Sequence, residues 1–155
     1  MMRLVPGDLV TIERDAVFHY ALILDKISFF GANWVYVFHL TSTQVLDAQA
    51  VLRGPQDGFN AFVDFIHAKR DQRIQRIGQR CEVNSFWGPG FMKRTFTTKG
   101  KAQQWFITDM QHHEVRRVAT LSSAERDYPL DQMISETLMI RRIREQWTPA
   151  KDARI

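Results

Sequence analysis

Cysteine is nearly missing from this chain: Cys81 is the only one in 155 residues. That excludes an intramolecular disulfide and a cysteine-built zinc cluster within one chain, and it fits a reducing compartment. Long apolar runs are missing too, since none approaches the ~18 residues that cross a membrane as a helix. Only Leu4 and Val5 separate Arg3 from Pro6 and Gly7, too little for a signal peptide's apolar region. There is no Walker phosphate loop, dinucleotide fingerprint, nucleophile elbow or zinc-protease helix motif. No repeat, low-complexity linker or shift in composition marks a second domain. The expectation is a soluble, cytoplasmic protein with one domain over residues 1–150, a frayed tail over 151–155, no cofactor and no membrane partner.

The chain does carry positive charge, +4 at neutral pH with a pI near 9.5. Basic residues gather at Lys69-Arg70, Lys93-Arg94, Lys99 with Lys101, Arg116-Arg117 and Arg141-Arg142-Arg144, with acids interleaved. Such a balance suits an acidic protein surface or nucleic acid as partner and leaves the oligomeric state open.

Strand patterns dominate the opening. Pro6-Gly7-Asp8 leads into Leu9–Glu13, which alternates as a half-buried strand does. His19–Leu24 and Trp34–Leu40 are apolar on both alternating faces, which predicts the covered centre of a sheet, with turns at Arg14-Asp15-Ala16 and Gly31-Ala32-Asn33. Thr43–Arg53 reads as a short helix capped by Ser42 or Thr43. The three- and four-residue steps of Phe59, Phe62, Val63, Ile66, Ile74 and Ile77 predict a helix entered at Asp57 or Gly58 and closed by Gly78. Strands are expected over Cys81–Phe86, Arg94–Thr98, Gln104–Thr108 and Glu114–Val118, with turns at Trp87-Gly88-Pro89-Gly90 and Lys99-Gly100-Lys101. A last helix should begin near Pro129, be helical by Asp131 and stop at Thr148-Pro149. The fold class is therefore α+β: a strongly bent antiparallel sheet or small open barrel with one mid-chain and one C-terminal helix.

Thiolate catalysis needs a cysteine, a histidine that takes its proton and a group that orients that histidine. Cys81, His19 and His39 supply candidates, and a symmetric hairpin would place the two histidines on neighbouring strands near one end. Gly7-Asp8-Leu9-Val10, followed by His19 in a Tyr-Ala-Leu-Ile-Leu strand and by Cys81-Glu82, resembles lecithin retinol acyltransferase-like papain-type hydrolases. The resemblance implies a cysteine-dependent acyl hydrolase or transferase. That family sets its nucleophile at a helix start, whereas Cys81 follows the expected helix end, with Arg80 before it and Val83-Asn84 after Glu82. The adjacent His112-His113 diverge on a turn or oppose each other on a strand, so no metal site is expected there.

Aromatic and basic residues interleave at Phe86, Trp87, Phe91, Lys93, Arg94, Phe96, Lys99, Lys101, Trp105 and Phe106, a pattern that serves either a sheet core or a platform for single-stranded nucleic acid. The Gly7-Asp8 start, the Trp105-Phe106-Ile107-Thr108-Asp109 strand and the Tyr128-Pro129-Leu130 entry into a closing helix resemble immunity proteins of bacterial polymorphic toxin systems that use a small bent barrel. That resemblance implies a non-enzymatic protein that neutralises a cognate toxin by direct binding. Trp34, Trp87, Phe91 and Arg94 are the expected partner-binding anchors, since aromatic and arginine side chains dominate interface energetics.

Overall fold

A computed structural model describes residues 2–29, 31–98 and 101–155, with the backbone alone for residues 27–29, 97–98 and 101–103. The sheet starts where the sequence places it. Strand β1 (Leu9–Arg14) turns through Asp15 and Ala16, at φ 53° and 61°, into β2 (Val17–Phe29). Two consecutive left-handed residues give the turn the twist that joins antiparallel strands without splaying them. β3 (Ala32–Ser42) pairs antiparallel with β2, and β4 (Gly58–Asp64) with β3. With β5 (Ile74–Gly78) and β9 (Met133–Ser135), these strands form a six-stranded sheet in the order β5-β1-β2-β3-β4-β9, antiparallel except between β4 and β9.

Alternation sorts the side chains of the central strands into two cores. Ala21, Ile23, Val35, Val37, Phe59, Ala61 and Val63 lie on one face with Met139, Ile140 and Ile143 of helix α4 (Glu136–Arg144). Tyr20, Leu22, Trp34, Phe38 and Phe62 lie on the other, with Val51 of helix α1 (Ala48–Arg53), Phe86 and Met92. At ~1.5–3 kcal/mol for each large apolar side chain taken out of water, burial on both faces makes this the most strongly held part of the sheet. The Pro6-Gly7-Asp8 entry is built in as well: the Gly7 N–H donates to Ile23, the Gly7 carbonyl accepts from Cys81, and buried Asp8 pairs with Arg76 at 3.0 Å.

The expected helix over Asp57–Gly78 is replaced by β4, a single short helix α2 (Ile66–Arg70) and β5. β4 is covered on both faces, so its near-continuous apolar run also satisfies a helical period. Hydrogen bonding to strands on either side decides for the extended form. Gly58 meets the requirement of that pairing, because a Cβ there would collide with the Val37 carbonyl. Three further expectations are corrected. α1 begins at Ala48, capped by Asp47 at 2.8 Å from the Ala50 amide, not by Ser42 or Thr43. Cys81–Phe86 is a loop ending in a 3₁₀ turn at Asn84–Phe86. The closing helix starts at Glu136, capped by Ser135, because Met133-Ile134-Ser135 pair with Phe62-Val63-Asp64.

A second, three-stranded antiparallel sheet is made of β6 (Phe91–Thr98), β7 (Lys101–Asp109) and β8 (Glu114–Val118). The expected turn at Lys99-Gly100 lies outside the described residues. Helix α3 (Ser123–Arg126) follows, held by a reciprocal capping box between Ser122 and Glu125, a Ser-x-x-Glu signal in the sequence. Neither sheet closes into a barrel, and the α+β class stands. Lys93 ties the smaller sheet to the rest: its amide donates to Pro129, its carbonyl accepts from Asp131, and its ammonium donates to the carbonyls of Arg126 and Pro149. Residues 151–155, expected to fray, make contacts of their own, with Asp152 buried and bonded to Arg154. Among the described residues no helix is long and apolar enough to cross a membrane.

Candidate functional site

The expected thiol unit is not assembled. His19 and His39 do share a face of the six-stranded sheet, as the hairpin reading required, but a bulge separates the His19–Thr41 pair from the Ala21–Val37 pair. Each ring is committed to a backbone carbonyl: His19 Nδ1 donates to Ile12 at 3.1 Å, and His39 Nε2 donates to Trp147 at 2.7 Å. Burial lowers the pKa of both, which keeps them neutral at neutral pH. Cys81 lies across the sheet from them, packed with Leu9 and the core around Trp34. Burial, and then Asp8, push its thiol up, the opposite of what a nucleophile needs. The sheet thus separates Cys81 from the two histidines that the catalytic reading needed beside it.

The expected anchors also divide. Trp34 is wholly buried, its ring centroid 4.6 Å from that of Phe62, so it belongs to the core and not to a surface. Trp87 is half-buried against the same core. Phe91 is exposed and stacked on Tyr128 at 6.0 Å. Arg94 is half-exposed and sits 5.8 Å over the Phe106 ring.

Arg94 opens onto a group that the sequence pattern presented only in part. Pairing aligns Arg94, Phe106 and Arg117 in one row across β6, β7 and β8, so their side chains fall on the same face. Arg117 lies 5.0 Å over Phe106 from the other flank. Phe96, two residues beyond Arg94, meets Phe106 edge-on at 5.8 Å while remaining 70% exposed. Carboxylates hold the arginines in place: Glu114 binds Arg117, and Asp131 lies 3.9 Å from Arg94. The opposite face of these strands carries Lys93, Trp105 and Ile107, all buried. Of the interleaved aromatic and basic residues, Phe86, Lys93 and Trp105 therefore serve the core, and Lys99 lies outside the described residues. Arg117 stands in a basic pair of the sequence, but its partnership with Phe106 crosses to another strand and is not legible there.

The sequence leaves His112 open between a turn and a strand. It sits at the turn between β7 and β8 with φ 67°, and its Nδ1 lies 2.5 Å from Asp131 Oδ1. Asp131 also accepts from Thr108 at 2.9 Å. This buried polar group fixes the turn to the segment before β9. No group of three or more histidine, cysteine or acidic side chains placed to hold a metal occurs among the described residues. Comparison with family models, curated proteins and solved structures finds no match to this chain.

Proposed function

We propose that this chain is a non-enzymatic protein-binding domain of the immunity type, which neutralises a bacterial toxin domain in the cytoplasm by direct contact. The outer face of the three-stranded sheet is the surface it presents. The observation that carries this reading is Phe96: a phenylalanine 70% exposed on a strand, set against Phe106 with Arg94 and Arg117 at the flanks. An aromatic held by strand pairing and edged by guanidinium groups loses little conformational entropy on binding, and it suits a partner that offers an apolar spot ringed by carboxylates. The net charge of +4 favours an acidic partner. The separation of Cys81 from His19 and His39 supports binding over turnover.

The test is a search of the adjoining genes for a toxin domain, which the reading expects there, followed by co-expression with that domain and titration of the purified pair. Phe96→Asp and Arg117→Glu should each weaken the complex at least about tenfold and abolish protection, with the thermal midpoint unchanged. Cys81→Ser should protect fully. Full affinity in both face variants, or loss of protection in a folded Cys81→Ser protein, would overturn the proposal. Salt-dependent binding of a single-stranded oligonucleotide through Phe96 and Arg117, without any protein complex, would replace it with a nucleic-acid platform.

A further inference from the structure

A second surface stands apart from the sheet face. Between the end of α4 and the turn that follows lies a cleft of about 390 Å³, walled by Arg141, Arg142, Trp147, Lys151, Asp152 and Arg154. Charge in it is not balanced locally. Asp152 is taken by Arg154, whose Nη2 and Nε donate to its two oxygens at 2.6 and 2.9 Å. Glu145 lies 3.9 Å from Arg141, and Lys151 donates to the Gln146 carbonyl at 2.9 Å. Of the cleft's arginines, Arg142 alone has no carboxylate within ion-pair distance among the described residues.

Arg142 is nevertheless held in place. Its guanidinium sits 4.0 Å from the centroid of the Trp147 ring. That ring is fixed in turn: it stands edge-on to Phe59 at 5.3 Å, its amide donates to the Arg142 carbonyl, and its own carbonyl accepts from His39. A guanidinium seated on an aromatic face keeps its in-plane N–H fork for an acceptor, and the rotamer entropy that binding would cost is already spent. Burial brings Arg142 down to about 10, with Asp152 opposing and Arg154 and Arg141 adding to the shift. The group stays charged at neutral pH with Asp152 and Glu145 acting on it only from beyond ion-pair distance, and an incoming anion would supply the direct partner.

We propose that this cleft binds an oxyanion, a carboxylate or phosphate group, with the Arg142 fork as its principal partner and Arg141 and Lys151 at the rim. The full chain is titrated separately with inorganic phosphate and with succinate at constant ionic strength. Calorimetry and the NMR signals of the Trp147 indole N–H and the Arg142 Nε–H report binding. At least one anion should saturate. Arg142→Gln should weaken it about tenfold or more, Arg142→Lys less, since lysine keeps the charge without the fork. Exposed Lys151→Gln, a variant that leaves the core untouched, should weaken it several-fold. The stronger of the two anions identifies the source of the group. Linear, unsaturable responses to both anions, or saturable responses that survive unchanged in Arg142→Gln and Lys151→Gln, would overturn the proposal.

Discussion

Replacing Lys93 by methionine tests how the smaller sheet is joined to the rest. Lys93 is wholly buried, with its ammonium donating to the Arg126 and Pro149 carbonyls at 2.5 and 2.8 Å. Burial, opposed by Asp152 and Asp127, brings it from 10.5 to about 8. Below the folded value both the folded and the unfolded chain carry the proton, and the fold bears the full cost of the buried cation. Between about 8 and 10.5 the unfolded chain binds a proton that the folded chain has released, so stability rises with pH; above that window nothing further is gained. At about 1.4 kcal/mol per pH unit, the gap amounts to ~3 kcal/mol. Methionine keeps the apolar stem and removes the titration. Urea unfolding of wild type and Lys93→Met across this range should give a stability difference that shifts toward wild type by ~3 kcal/mol, the tyrosines, other lysines and Cys81 cancelling between the two proteins. Curves that run parallel through the window would mean that Lys93 keeps its proton in the folded chain as readily as in the unfolded one.

Glu136→Ala should cost ~2–3 kcal/mol in urea unfolding, because it strips a buried carboxylate from Arg73, which reaches its two oxygens at 2.7 and 3.0 Å. A double-mutant cycle with Arg73→Gln that returns no coupling would contradict this. Gly58→Ala should cost ~2 kcal/mol or more in thermal unfolding, since the added Cβ meets the Val37 carbonyl across the strand pair; a near-neutral result would show that β3 and β4 can separate there cheaply. Cys81, pushed up by burial and by Asp8, should react with iodoacetamide near neutral pH more slowly than a free cysteine. Fast labelling in the native protein would restore the nucleophile reading.

The hairpin strands were legible because their signals are local. Asp15-Ala16 forms the predicted turn, Glu114–Val118 is a strand as read, and the two-faced apolar runs at His19–Leu24 and Trp34–Leu40 lie at the sheet centre. β4 was not legible, because a strand covered on both faces and a buried helix share one apolar pattern, and the hydrogen bonds that separate them come from β3 and β9. Of the candidate surface, Arg94 and Phe106 could be named from aromatic and basic interleaving. Arg117 could not, since it meets Phe106 only through the β7–β8 register. Trp34 was misplaced for a related reason: a tryptophan in a two-faced apolar strand has no exposed side to offer.

By itself the sequence determined the α+β class, the sheet-rich opening and the lack of an intramolecular disulfide, since these follow from residue counts and from spacing within a few positions. Tertiary structure alone decided which sheet face each side chain occupies, and with it the separation of Cys81 from His19 and His39, the cluster around Phe106 and the seating of Arg142 on Trp147. Those relations join residues distant along the chain. They are set by strand partners and by the sidedness of two packed cores, which local periodicity does not encode.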